Sequence, residues 1–373
     1  MRDTMGIIYS GDTDGSLKEL TRSRSAAAVP YGGRYRVIDF ILSNMVNSGI
    51  RNIGLITQNN YHSLMDHLES GSYWDLDRKR DGLFILPPYV SRGNSGWYKG
   101  TADAIHNVMS YVRRSTQRYV VISGGTMVCN ISYDDVMEYH KKNNADITVI
   151  YKDMKDMAPN DLSRHTLIQA EESGRIYNME MKPFGPKSTN VMMEMYILEK
   201  ELLEYLVEEC SARGRNDFVK DIMIDKLDTL RIFGYEFKGY LASINTINAY
   251  FKHSMDLLDR DIRNDVFNRN GPIYTKIKDE VPAKYGIHAQ AKNSLVADGC
   301  IVEGTIENCI LFRGVRVGPG AVARNSVIMQ NSEIQENGLI ENIILDKEVL
   351  IRRGKRLIGQ ESYPIVIGKK III

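Results

Sequence analysis

Two short segments of the sequence hold residue types suited to phosphate chemistry. Residues 10–17 (SGDTDGSL) follow an apolar run, and Ser123-Gly124-Gly125-Thr126 closes another, YVVIS. Small residues at the end of a strand let backbone N–H groups approach an anion, which is how nucleotide-binding loops cradle phosphates. The first loop, however, carries Asp12 and Asp14 among its small residues. A carboxylate about 4 Å from a phosphate costs about 1 kcal/mol per unit charge pair in water and about 4 kcal/mol at a protein surface. Such a loop repels the ligand that its backbone would otherwise hold. The plainer alternative is an acidic turn that touches no ligand. Gln58 stands at a third place of this kind, directly after residues 52–57 (NIGLIT).

The elements that must position these loops alternate in type. Residues 5–10, 52–57, 119–123 and 146–151 read as short strands, and residues 37–48 and 134–143 carry apolar positions at helical spacing. Strand, loop, helix and strand in repeated order predict an α/β, Rossmann-like, mostly parallel sheet, whose ligands gather at the carboxyl ends of the strands. After residue 250 the pattern changes. A helical stretch at 249–262 precedes a polar segment holding Pro272, Pro282 and Tyr285. From Val296 the aliphatics recur mostly every five or six residues, through Val302, Leu311, Val317, Val322, Ile328 and Ile334 to Ile340, with Ile306 in the one longer gap. Gly299, Gly304, Gly314, Gly318 and Gly320 punctuate the intervals. That period suits the flat faces and tight corners of a parallel β-helix and not an α-helix; an irregular β-sandwich is the competing fold. Three segments are therefore expected: an α/β domain over 1–250, a linker with a helix over 251–285 and a β-helix over 286–373.

The bulk properties exclude more than they assign. A chain of 373 residues is long for one layer pair, and a formal net charge of +1 recommends neither nucleic acid nor an anionic membrane as partner. Cys129, Cys210, Cys300 and Cys309 form no CxxC pair, so reduced, buried thiols in a cytoplasmic protein are expected. The first residues show no apolar signal core, and no stretch has the length of a membrane span.

Taken in order, several further blocks complete a pattern. They are Leu17-Lys18-Glu19-Leu20-Thr21, Gly32-Gly33-Arg34-Tyr35-Arg36-Val37-Ile38-Asp39-Phe40, Leu42-Ser43-Asn44, Asn47-Ser48-Gly49-Ile50-Arg51, Ile56-Thr57-Gln58, Trp97-Tyr98-Lys99-Gly100-Thr101-Ala102-Asp103-Ala104, and Asp217-Phe218 with Lys220-Asp221. With the hexad-patterned tail, this set resembles the bacterial glucose-1-phosphate adenylyltransferase (ADP-glucose pyrophosphorylase) family over nearly the whole chain. The resemblance implies a nucleotidyltransferase domain of GT-A-like fold, a left-handed hexapeptide-repeat β-helix and a tetrameric assembly. It also implies a reaction in which glucose 1-phosphate attacks the α-phosphorus of ATP, with Mg²⁺ held by carboxylates.

Set against that family, the losses concentrate on groups that would touch phosphate or metal. In its phosphate loop, Asp12 and Asp14 stand in place of glycines and Ser16 in place of an arginine; Ala26 replaces a lysine. Gly125 and Ser243 occupy the two positions of the metal-binding aspartates. Met192 and Glu194 bring bulk and charge to a strand whose serine and glycine line the family's sugar pocket. Loss of both metal ligands, if it removes about 5 kcal/mol of transition-state stabilisation, slows turnover several thousandfold. Gln58, Trp97, Gly100, Thr101, Asp103 and Lys182 are kept. They would form a residual nucleotide or sugar-phosphate pocket or an inter-subunit relay; the plainer alternatives are that Lys182 is a relic or a surface lysine and that Trp97 and Tyr98 are packing aromatics.

By this resemblance the chain falls in a non-catalytic branch of the family that serves glycogen biosynthesis. It would bind no cofactor itself, Mg²⁺ belonging to a catalytic homologue that it joins in a hetero-oligomer and modulates; a homo-oligomer is also conceivable on the same surfaces. The competing expectations are an active or weakly active adenylyltransferase and a sugar-nucleotide-binding sensor.

Overall fold

The computed structural model describes residues 1–11, 15–88 and 97–373. Asp12 and Asp14 therefore lie outside the described residues. The N-terminal domain is built from β1 (Thr4–Ser10), α1 (Val37–Asn47), β2 (Asn52–Thr57), β3 (Gly82–Leu86), α2 (Thr101–Asn107), β4 (Tyr119–Gly124), α3 (Tyr133–Lys142), β5 (Ile147–Asp153), β6 (Thr166–Ala170), β7 (Ile176–Met181), β8 (Asn190–Glu199), α4 (Lys200–Ala212) and β9 (Ile232–Glu236). The sheet runs β7-β6-β8-β4-β1-β2-β3, with β5 also on β8 and β9 on β5. Pairs around β1, β2, β3 and β4 are parallel, as is β5 with β9. The expected parallel character stops at β8, which inserts antiparallel between β4 and β5.

Side chains alternate between two cores, as the two-residue strand period demands. Met5 and Ile7 of β1 join one cluster with Val120 and Ile122 of β4, while Ile8 and Val121 point to the other. Helix α1 is buried almost throughout, so its polar residues need internal partners. Asp39 supplies two: one carboxylate oxygen accepts from the Arg36 backbone N–H at 2.9 Å and the other meets His67 Nε2 at 2.6 Å.

The helical stretch expected at 249–262 is two helices, α5 (Ile247–Asp256) and α6 (Arg260–Asn268). Asp259 ends the continuity, because its side chain accepts from the N–H groups of Asp261 and Ile262 and starts a new helix.

The C-terminal region is all parallel strands in stacked coils. Thr305–Leu311 pairs with Val322–Ile328 in register Thr305↔Val322, and Val322 pairs in turn with Leu339. Val302, Ile306, Leu311, Val317, Ile328, Ile334 and Ile340 are fully or almost fully buried inside. This is the β-helix that the period predicted, in the hexapeptide class. One corner was not anticipated: Asn293, Asn308 and Asn325 stack, each Nδ2 donating to the next Oδ1 at 2.8 and 3.0 Å. All three have positive φ, a conformation asparagine tolerates better than most residues. All four cysteines are free and buried.

The domains share a core. Ile310, Phe312, Val327, Met329 and Ile344 of the β-helix pack with Leu17, Leu20, Val29, Phe40 and Tyr250. Beside it, Arg24 Nη2 binds both oxygens of Asp346 at 2.9 and 3.0 Å, with both residues almost wholly buried.

Lys347 lies next to this pair. Burial, with the charges of Arg36 and Arg24, pushes its ammonium down to about 7. Between that value and the ordinary lysine range, the unfolded chain carries a proton that the folded chain lacks. Stability is therefore expected to rise with pH from about 7 upward, by at most about 1.4 kcal/mol per pH unit. Below that window both states are protonated and the slope vanishes. Urea unfolding at pH 7, 8 and 9 should show the rise in the wild type and a flatter profile in Lys347→Met; equal slopes would refute the assignment.

Candidate functional site

A cleft of about 440 Å³ opens at the carboxyl ends of β1 and β4. Its floor is Gly124-Gly125, where β4 runs out. Directly beyond, Met127–Val128 pairs antiparallel with Ala242–Ser243, placing Met127 opposite Ser243, and Ile244 N–H donates to Thr126 O at 2.9 Å. The fold thus brings Gly125 and Ser243, more than a hundred residues apart in sequence, to one wall of the cleft. Neither offers a carboxylate. A β-carbon at Gly125 would lie 3.2 Å from Tyr9 O and from Ser10 Cα, so a side chain there requires the end of β1 to give by a few tenths of an ångström. Ala26 is buried in a single turn of helix, away from the cleft lining.

The first loop enters through Gly11 and Ser16, both on the cleft. The Tyr9 ring occupies the space that any side chain at Gly11 would need. The Tyr9 hydroxyl donates to Gln58 Oε1 at 3.3 Å, and Gln58 Nε2 donates to Tyr98 O at 3.5 Å. Gln58 therefore ties strand ends together and is absent from the cleft lining.

The retained Gly100–Asp103 block (residues 100–103) is mainly a clip. Thr101 Oγ1 accepts from Phe218 N–H at 3.0 Å, and Asn216 O accepts from the N–H groups of Ala102 and Asp103 at 2.8 and 3.1 Å. Asp103 accepts from Lys99 N–H at 2.8 Å and from Asn107 Nδ2 at 3.1 Å. A β-carbon at Gly100 would stand 2.5 Å from Asn216 O, which explains glycine there. The clip fixes the loop that delivers Asp217 and Phe218 to the cleft; of the block itself only Thr101 lines it. Trp97 is 59% exposed, whereas Tyr98 is buried.

The remaining wall was only partly legible in the sequence. It holds Lys182, Glu194, Asp217, Arg164 and His165. Lys182 N–H donates to His165 O at 3.0 Å, at the end of β7. Burial pushes the His165 imidazole down to about 4, so it is neutral near pH 7. Glu194 lies on a bulge of β8, where the register shifts between Met192 and Met195, and its φ is +54°. The residue is exposed on the cleft, with its carboxyl group turned in over Gly124. Burial raises its pKa, the Lys182 charge opposes that rise and the Asp217 charge adds to it. Arg164 and His165 were missed because they sit in a loop without glycine punctuation or strand alternation.

The wall positions for a divalent cation fail a donor test. Gly125 and Ser243 carry no anionic oxygen, and among the described residues no group of three or more His, Cys, Asp or Glu side chains could hold a metal ion.

Comparison with known proteins places this architecture. Residues 5–260 match the Nucleotidyl transferase family, and residues 280–363 match the family described as GlmU-like, C-terminal hexapeptide. The Glycogen biosynthesis protein GlgD of Bacillus subtilis (strain 168) is 37% identical over 369 residues, covering 99% of this chain and 96% of that protein. The Glucose-1-phosphate adenylyltransferase of Clostridium perfringens (strain SM101 / Type A) is 35% identical over 376 residues, covering 100% and 96%. That of Acetivibrio thermocellus (strain ATCC 27405) is 36% identical over 388 residues, covering 100% and 90%. With both domains in family order and full-length similarity, the chain belongs to the glucose-1-phosphate adenylyltransferase family of nucleotidyl transferases, and GlgD is among its relatives.

Proposed function

We propose that this chain is a regulatory or structural, largely non-catalytic subunit of glucose-1-phosphate adenylyltransferase, acting in ADP-glucose supply for glycogen biosynthesis. One observation carries the reading: Gly125 and Ser243 lie together on the cleft wall and present no metal-binding carboxylate. Adenylyl transfer joins two anionic substrates, and its transition state needs their charge neutralised and the reacting atoms aligned. This cleft instead gathers Glu194 and Asp217 on the same wall as Lys182 and Arg164. The residues present do not fit Mg²⁺, and no chemical step is assigned to it in this chain.

In this reading the chain works in the cytoplasm through a catalytic homologue, joined in a hetero-oligomer in which a paralogue replaces one partner of a symmetric assembly. The shared core between its domains and the clip at residues 100–103 give it a rigid body suited to that role. The test is pyrophosphate release from ATP and glucose 1-phosphate by the purified chain, by a catalytic homologue and by the mixture. The chain alone is expected to run at least a thousandfold below the homologue, and the mixture to differ in kcat or KM from the homologue alone. Turnover by the lone chain comparable with the homologue's would end the proposal, as would a mixture that behaves as the homologue does by itself.

A further inference from the structure

Glu194 occupies a backbone conformation that few residues other than glycine adopt. Its φ of +54° arises at the β8 bulge, in the left-handed region. The bulge turns the side chain over the carboxyl end of the central strand, so that Glu194 Oε2 stands over Gly124 in the place a β-carbon there would take. Glycine at 124 is thus what makes room for the carboxylate. Lys182, itself at φ +46°, lines the same cleft, and its charge is what most favours the ionised form of Glu194. Asp217 adds a second carboxylate nearby, and the neutral His165 contributes no compensating charge.

We propose that Glu194 is a resident anion: its carboxylate fills the place of a sugar phosphate beside Lys182, so that this cleft excludes glucose 1-phosphate by charge and by volume. The inference rests on reading the cleft as a remnant of the adenylyltransferase site. It adds that Lys182, which the family resemblance assigns to a residual nucleotide or sugar-phosphate pocket, is opposed by an internal group. A phosphate monoester entering beside Lys182 would share the cleft with the carboxylates of Glu194 and Asp217, and like charges repel.

The experiment is calorimetric titration of the full chain with glucose 1-phosphate, comparing wild type with Glu194→Gly and Glu194→Gln. The glycine variant removes both charge and volume and suits the left-handed backbone; it is expected to bind at least tenfold tighter than wild type, about 1.4 kcal/mol. The glutamine variant keeps the volume and removes the charge, so a smaller gain is expected. Adding Lys182→Ala to the glycine variant should return affinity to the wild-type level. No gain in either folded Glu194 variant, or a gain that survives the lysine substitution, overturns the inference. If the glycine variant does not fold, the glutamine variant decides. Because no partner enzyme is present, a chain that shows the gain but leaves a catalytic homologue unaffected would refute the proposed function and not this one.

Discussion

Asp346→Ala is expected to be the most destabilising single substitution at the domain junction, and Arg24→Ala the next. Arg24 Nη2 reaches both Asp346 oxygens, at 2.9 and 3.0 Å, and both residues are almost wholly buried. Removing one partner leaves the other charge without water or counter-ion, which typically costs 3–5 kcal/mol. The two halves of the pair are not equivalent. Without Arg24, Asp346 still accepts from Lys347 N–H at 2.7 Å and feels the Lys347 charge. Without Asp346, Arg24 keeps, among the described residues, only the Leu20 carbonyl at 3.3 Å and faces the charge of Arg36. Replacing both together with Met and Leu should restore most of the loss, because the attraction inside a buried pair only roughly repays its desolvation. The check is the shift in urea midpoint across the two single variants and the double. A loss under about 1 kcal/mol for either single variant would show that the junction does not depend on the pair.

That pair marks the limit of what the sequence could disclose. Its members are 322 residues apart, and neither belongs to a local pattern. Local periodicity was enough for β1, β2, β4 and α1, whose alternation or helical spacing directly reflects which face is buried. It was enough for the β-helix too, since each coil repeats the same burial: Val317 sits over Val302 and Ile334 over Val317. It failed where a neighbour far along the chain decides the outcome. The antiparallel insertion of β8 between β4 and β5 has no local mark, because an apolar strand reads alike in either direction. The break at Asp259 was available as an N-cap signal inside an otherwise helical pattern and was overridden by the longer period. In the cleft, the family resemblance singled out Gly125, Ser243 and Lys182, and the structure gathers all three around one opening. What substitution types alone did not reveal is that Gln58, Gly100 and Asp103 hold loops in place, which the backbone contacts supply.

Restoring carboxylates by Gly125→Asp together with Ser243→Asp is expected to raise turnover above the chain's own baseline while leaving it far below that of a catalytic homologue. The two positions share one wall through the Met127–Ser243 pairing, so two new carboxylates there could approach a common cation. Recovering the whole of a 5 kcal/mol deficit would return several thousandfold in rate, about tenfold for each 1.4 kcal/mol. Full recovery is not expected, for two reasons of geometry and charge. An aspartate β-carbon at 125 must displace Tyr9 O and Ser10 Cα from 3.2 Å, which spoils the alignment that in-line transfer requires. Glu194 also remains over Gly124, and the new carboxylates would add to the negative field beneath the incoming phosphate. A gain between about tenfold and a hundredfold is therefore expected from the pair, with a further gain when Glu194→Gly is combined with it. Pyrophosphate release at saturating Mg²⁺ measures both steps, and Ser243→Asp alone serves if the double variant folds poorly. Recovery to a homologue's rate from the two aspartates alone would mean that Glu194 imposes no barrier. No gain even with all three changes would place the defect outside the metal wall and the resident carboxylate.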